Sequence, residues 1–219
     1  MTRASFITFE GGEGSGKSTQ ALRLADRLRA TGRDVLLTRE PGGSPFAEKV
    51  RALLLDPSSP EHSALSEALL FYAARADHLD KTIRPALTAG RWVVCDRFSD
   101  STRVYQGVAG GMSPAAIDAL EEMIVGATKP DLTVILDLPA EQGLARATQR
   151  RLAGELAQQK PDTYEKRDLA FHESLRAGYA AIARREPERC VLMDGSSPPE
   201  AIAAAVWALV EQRLLRGTV

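Results

Sequence analysis

The residues best placed to do chemistry lie near the N-terminus, in Gly11-Gly12-Glu13-Gly14-Ser15-Gly16-Lys17-Ser18-Thr19. The spacing Gly-x4-Gly-Lys-Ser is that of a loop that wraps phosphate groups. Backbone N–H groups turned inward at a helix N-terminus attract a multiply charged anion. Glycine lets the main chain approach phosphate oxygens without a Cβ in the way. Lys17 would carry a charge to the outer phosphates, and Ser18 would offer its hydroxyl to a magnesium ion. The chemistry is therefore the binding of a nucleoside triphosphate with Mg2+.

Other charged residues fall where such a ligand would be met. Glu10, Arg39, Asp96 and Asp137 each end a short apolar run, and ligands of parallel sheets sit beyond the carboxyl ends of the strands. Asp96 is expected to hold magnesium directly or through water. Asp137 is a second candidate, although Pro139 and Ala140 behind it also fit a residue that starts a helix. Arg39, Arg51, Arg75 and Arg97 form one set of guanidinium groups, and Arg146, Arg150 and Arg151 another. A planar guanidinium binds phosphate through two parallel hydrogen bonds. Two sets fit a reaction between two phosphorylated substrates, though any one of them could be an ordinary surface arginine. Phe71 and Arg75, four apart on a helical pattern, could stack on and hydrogen-bond a base; on spacing alone Phe71 reads as core.

The elements that must position these groups follow from periodicity. Ser5–Glu10 alternates Ile7 and Phe9 with Thr8 and Glu10, a buried strand. A helix starts at Lys17 and stops at Gly32. Strands follow at 34–39, 92–96, 132–137 and 190–194. Between them run a helix through Phe46 and Leu54, a long helical stretch from Leu65 to Leu87 in which Pro85 should make a kink or start a new turn, and a helix capped by Ser113-Pro114. Thr102–Gln106 fits a helical turn. Ala140–Arg151 and 168–185 read as helices on either side of a polar flap, 152–167. Ser197-Pro198-Pro199-Glu200 has the spacing of a capping box before the last helix. Strands alternating with helices predict an α/β chain with a five-stranded parallel sheet covered on both faces. We expect a single domain over 1–219 with the flap as a mobile lid.

Composition narrows the function. With 219 residues and 44% hydrophobic content the chain can bury a full core. A net charge of −1 gives no long-range attraction to nucleic acid or to an anionic membrane. Cys95 and Cys190 lie in apolar runs and read as buried thiols of a reducing compartment. The apolar run 201–210 is too short to span a bilayer, and the strand starting near residue 5 leaves no room for a signal peptide; a cytoplasmic location is expected. The sequence contains no asparagine, which excludes the Asn-Lys-x-Asp signature of small GTPases and the catalytic-loop asparagine of protein kinases.

Several stretches together resemble bacterial thymidylate kinase: Phe9-Glu10-Gly11, Thr38-Arg39-Glu40-Pro41-Gly42-Gly43, Arg51-Ala52-Leu53-Leu54-Leu55, Phe71-Tyr72-Ala73-Ala74-Arg75, Asp96-Arg97 with Ser101-Thr102 and Tyr105-Gln106-Gly107, Lys129-Pro130-Asp131-Leu132-Thr133, and Asp194-Gly195. The resemblance spans nearly the whole chain. It implies a three-layer P-loop fold and transfer of the γ-phosphoryl group of Mg-ATP to dTMP. It implies that Gly11, Gly12, Glu13, Gly14, Ser15, Gly16, Lys17, Ser18 and Thr19, with Arg146 and Ser196, bind ATP. Phe71 would stack on thymine and Arg75 would bond its edge. Arg39 and Arg97 would hold the acceptor phosphate, Thr102 and Gln106 would lie beside the base, and Tyr105 would sit under the sugar. Glu13, Pro41, Arg51 and Ser101 complete the expected dTMP site. Lys17, Arg97, Glu13, Arg150 and Arg151 would be the catalytic groups, and Ser18 and Asp96 the metal ligands. The resemblance also implies a homodimer joined through helices that include Leu65–Leu87.

Two styles of this family differ in where a donor-side cation sits. Gly14 and Ser15 leave none in the phosphate loop here, so it must come from the flap. The flap reads Asp162-Thr163-Tyr164-Glu165, without the arginine usual after that aspartate. Arg150, Arg151, Lys160, Lys166 and Arg167 remain open for the role. An alternative is another P-loop small-molecule kinase, for dUMP or a deoxynucleoside. A nucleotide-dependent switch would need neither the two arginine sets nor the Phe71/Arg75 pair.

Overall fold

A computed structural model describes residues 4–60, 62–153 and 163–215. Five parallel strands, β1 (Phe6–Gly11), β2 (Val35–Arg39), β3 (Trp92–Asp96), β4 (Leu132–Asp137) and β5 (Cys190–Asp194), form one sheet in the order β2-β3-β1-β4-β5. The expected fold class is the one observed. Central β1 presents Ile7 and Phe9 to one face and Phe6, Thr8 and Glu10 to the other, by the two-residue period of a strand. On the first face Ile7, Phe9, Val94 and Val134 pack on Leu24 and Leu28 of α1 (Lys17–Ala30) and on Val206 and Trp207 of α9 (Pro199–Val210). On the second, Phe6 and Val93 meet Tyr72 of α3 (Ala64–His78), while Ile135 meets Leu175 and Tyr179 of α8 (Leu169–Arg185). Cys95 and Cys190 are buried free thiols.

The strand register aligns the functional ends. Arg39 lies opposite Asp96, and Asp96 opposite Phe9, so the charged residues of β2 and β3 reach the level where β1 enters the phosphate loop. α2 (Pro45–Leu55), capped by the Ser44 hydroxyl, carries Arg51, and α3 carries Phe71 and Arg75. The long helical stretch is continuous but not uniform. It widens to a π-helical turn at Leu79–Ile83 before α4 (Arg84–Thr88), with Pro85, which has no N–H to give the preceding turn, just past the junction. The expected turn at Thr102–Gln106 is longer: α5 (Ser99–Thr102) runs into a π-helical stretch, Arg103–Ala109. Ser113 caps α6 (Pro114–Ile124). No helix among the described residues is long and apolar enough to cross a membrane.

Two expectations need correction here. Ser197 does not cap α9: Pro198 stands at that position, the Ser197 hydroxyl donates to Asp194 at 3.0 Å, and Glu200 pairs with Arg23 at 2.8 Å. Prolines 198 and 199 set the entry angle of the helix without a side-chain acceptor. Of the flap, residues 154–162, including Lys160, lie outside the described residues.

The phosphate loop owes its shape to packing as well as to ligand approach. A Cβ on Gly14 would lie 2.0 Å from the Gly143 carbonyl oxygen, and one on Gly143 would lie 2.2 Å from that of Glu13. The loop is thus wedged against α7 (Ala140–Leu152), backbone to backbone. Gly143→Ala is expected to cost about 1–3 kcal/mol by overpacking. Gly12→Ala, which meets nothing within 4 Å, should leave stability within about 0.5 kcal/mol. Urea titration of the two variants measures the difference; equal midpoints would show that the loop does not depend on this contact.

Candidate active site

Arg97 organises the site. Its φ of 69° is the one positive value at a non-glycine among the described residues, a conformation that costs of order 1–3 kcal/mol. Two hydrogen bonds hold it there: Arg97 N–H donates to the Phe9 carbonyl at 2.9 Å, and the next N–H, of Phe98, donates to Glu10 Oε1 at 2.7 Å. The strained turn sends the guanidinium back across β1. There Nη2 donates to Glu13 Oε1 at 2.6 Å, and Nη1 to the Gly11 carbonyl at 3.1 Å and to Ser101 and Tyr179 at 3.2 Å each. The Tyr105 hydroxyl donates to the same Glu13 oxygen at 2.7 Å, and its ring lies 5.2 Å from the Arg97 guanidinium. Burial works against the Glu13 carboxylate, but Arg97 and then Lys17 overcome it and bring its pKa down to about 2.

Lys17 is meant to reach outer phosphates, yet it does not stand free on the loop. Instead it is only 7% exposed, folded back so that Nζ donates to the Gly12 carbonyl at 2.6 Å and to Ser15 Oγ at 3.3 Å. Burial and then the Arg97 charge lower its pKa to about 8. It has neutral hydrogen-bond partners where an anion would serve better.

Ser18 and Asp96 meet: the Ser18 hydroxyl donates to Asp96 Oδ2. The other oxygen, Oδ1, is buried and has no partner among the described residues. A hydroxyl, a carboxylate and a spare buried acceptor at a phosphate loop fit a magnesium ion that takes its remaining ligands from water and phosphate. Asp137 does not share this corner. Its carboxylate is bound by Arg176 through two hydrogen bonds of 2.7 and 2.9 Å, which leaves it neither a metal ligand nor a helix cap.

A cavity of about 240 Å³ opens beside these groups. Glu13, Arg39, Pro41, Arg51, Phe71, Arg75, Arg97, Ser101, Thr102, Tyr105 and Gln106, all the residues expected around an acceptor nucleotide, line it, together with Lys17, Ser18, Thr19, Asp96 and Arg150. Half-exposed Arg39 meets Glu48 at 3.1 Å, and Arg51 donates to the Pro41 carbonyl at 2.7 Å. Burial and then Arg39 lower the Arg51 pKa, against Glu48 and Asp96, which favour the charged form. Arg75 is 2% exposed; Nε donates to Glu40 at 2.8 Å and Nη2 to Thr102 at 3.2 Å. Its Nη1 is buried without a partner among the described residues. The partly buried Phe71 ring lies 6.4 Å from that of Tyr164.

Arg146 and Ser196 are brought together elsewhere: Arg146 Nη1 donates to the Gly195 carbonyl at 2.9 Å and Nη2 to that of Ser196 at 3.4 Å. They do not line the cavity. Neither does Arg151, which is tied to Glu165 by an ion pair.

Some residues of the site were not legible. Glu40 accepts from Arg75 and lies 3.0 Å from His78 Nδ1. Tyr164, on the C-terminal side of the flap, accepts from Gln106 at 3.1 Å and packs edge-on to Tyr105 at 5.2 Å. Glu10 and Tyr179 stand behind Arg97. Glu10 carried a signal, an acid at the end of an apolar strand; Tyr179 and Tyr164 carried none, because their hydrogen-bond partners in the site lie 58 to 169 residues away.

Comparison with known proteins agrees with this geometry. The thymidylate kinase family model matches residues 9–206. Thymidylate kinase of Caulobacter vibrioides is 56% identical over 215 residues, covering 98% of this chain and 99% of the relative. That of Bradyrhizobium diazoefficiens is 53% identical over 213 residues, covering 97% and 91%. A crystal structure of thymidylate kinase from Ehrlichia chaffeensis superposes with a TM-score of 0.74 at 33% identity, covering 94% of this chain and 98% of that one. The chain belongs to the thymidylate kinase family.

Proposed function

We propose that this chain transfers the γ-phosphoryl group of ATP to dTMP, giving dTDP and ADP. The observation that carries the reading is a single cavity holding both a triphosphate-binding loop and a pocket for a nucleoside monophosphate. Phe71 offers a ring face for thymine, and the unpartnered Nη1 of buried Arg75 offers a donor for its edge. Arg97 and Arg39 supply positive charge for the acceptor phosphate, and Tyr105 closes the pocket beneath the sugar. Family membership disfavours the alternative, a dUMP or deoxynucleoside kinase. We read the chain as one kinase domain with a lid at about 152–167, acting in the cytoplasm. Half-exposed Leu65 and Leu69 of α3 fit a helix face that pairs with a second copy in a homodimer.

The acceptor phosphate is itself a competent nucleophile, so alignment and charge neutralisation carry the catalysis. No residue is assigned as general base. Lys17 holds the outer phosphates and the loop N–H groups fix their orientation. Ser18 and Asp96 would hold a magnesium ion, which neutralises charge on the phosphate oxygens when it is bound. Arg150, which lines the cavity and has no carboxylate partner among the described residues, is the favoured donor-side cation over Arg151.

Purified protein should release ADP from ATP on addition of dTMP, with dUMP, dCMP and thymidine turned over far more slowly. ADP release indifferent to dTMP would overturn the assignment. Arg150→Ala should lower kcat by roughly 10–100-fold, the scale for removing one charge stabiliser, while Arg151→Ala has a smaller effect. Equal losses in single-turnover kinetics would reverse that assignment. Lys17 titrates at about 8 in the free chain, and bound phosphates favour its charged form. Hence kcat/KM for ATP should fall as pH rises through 8, while kcat holds to higher pH. A pH profile in which both fall together would remove Lys17 as the titrating group.

A further inference from the structure

Glu10 is fully buried and does not line the cavity, yet three of its contacts lead to Arg97. Oε1 accepts the Phe98 N–H at 2.7 Å, next to the strained Arg97 backbone. Oε2 accepts the Ser101 hydroxyl at 2.7 Å and lies 3.2 Å from that of Tyr179. Those two hydroxyl oxygens are 2.9 Å apart, and each accepts from Arg97 Nη1. A hydroxyl has one hydrogen. Ser101 spends its own on Glu10, and that of Tyr179 can go to Glu10 or to Ser101, so both oxygens are left with lone pairs facing the guanidinium.

We propose that Glu10 is a positioning residue for the acceptor-phosphate site: as an acceptor-only carboxylate it sets the hydroxyl polarity of Ser101 and Tyr179 and pins the Phe98 N–H, and so fixes both ends of Arg97. The inference rests on the reading of Arg97 as the acceptor-phosphate ligand. Burial and then Asp100 raise the Glu10 pKa to about 7, against Ser101, Arg97 and the Phe98 N–H, which favour the charged form. The three donors that converge on its two oxygens, the Phe98 N–H and the Ser101 and Tyr179 hydroxyls, are the set an ionised carboxylate accepts.

Glutamine is the sharp probe, because it matches the shape but not the polarity. One end of its amide must donate. Placed toward Phe98, it sets N–H against N–H. Placed toward the hydroxyls, it turns their hydrogens toward Arg97. Either way a buried donor loses its acceptor.

The test is steady-state kinetics of the full-length protein at pH 8. Glu10→Gln should raise KM for dTMP about 10–100-fold while KM for ATP stays within about threefold. Tyr179→Phe should raise KM for dTMP about 3–10-fold, and the double variant should fall short of the product of the two effects. A folded Glu10→Gln protein whose dTMP KM lies within about twofold of wild type, or whose two KM values rise together, overturns the proposal. If Glu10→Gln does not fold, Tyr179→Phe decides: a selective rise in dTMP KM supports it and no change overturns it. Failure of the underlying reading is seen separately, as wild-type protein without dTMP-stimulated ADP release.

Discussion

Charge buried at the ends of β1 and β3 is the constraint to which the surrounding structure answers. Taking an ion out of water costs several kcal/mol even after the protein relaxes, and only close opposite charge and complete hydrogen bonding offset it. Glu40 meets Arg75 at 2.8 Å, both buried, and Glu13 meets Arg97 at 2.6 Å, both partly buried. Each pair joins elements far apart in sequence. Arg97–Glu13 ties the exit of β3 to the phosphate loop, and Arg75–Glu40 ties α3 to the turn after β2. Breaking a buried pair leaves an uncompensated ion, which is much worse than never having built it. Four of the segments that line the cavity are thereby tied together in two pairs by the same groups that face the ligands.

The sheet sets where those groups can be. Thr8 and Glu10 alternate with Ile7 and Phe9, so β1 delivers polar side chains to one face and core to the other. On the polar face Thr8 meets Thr133 at 2.8 Å across β4, and Glu10 reaches α5 and α8. A strand with both faces apolar would pack as well and would have nothing to hold Arg97. The positive φ at Arg97 has the same logic. The strain is retained because the turn is held from both sides, at Phe9 and at Glu10.

Local pattern carried most of this in the sequence. The alternation in β1, the apolar runs of β3 and β4 and the glycine spacing of the loop depend on neighbours a few residues away, and each predicted strand is found within a residue or so of its place. The residues that line the cavity were legible as a group because the motifs that hold them follow one another in order along the chain. What failed depends on distance or on competition. The glycine spacing of the loop places Lys17 in it but says nothing of its burial, which comes from the loop folding over it. Asp137 ends a strand as a metal ligand would, but Arg176, 39 residues on, takes both of its oxygens. Ser197 and Glu200 have capping-box spacing, but two prolines and the outside partners Asp194 and Arg23 decide otherwise. Arg150 and Arg151 are neighbours of one type; only the placement of Glu165 across the flap tells them apart.

The groups left incompletely matched are as informative as the pairs. Folded proteins leave few buried polar atoms without a partner. Here Arg75 Nη1 and Asp96 Oδ1 are such atoms, and Lys17 has a carbonyl and a hydroxyl where a cation would do better with an anion. All three residues line the same cavity. A base edge, a divalent cation and a triphosphate are the complements of a guanidinium donor, a carboxylate oxygen and an ammonium, respectively. Had the fold satisfied these groups internally, the cavity would be more stable and would have less to gain from its ligands. Leaving them short transfers that part of the stabilisation to binding, and it transfers it to two ligands at once.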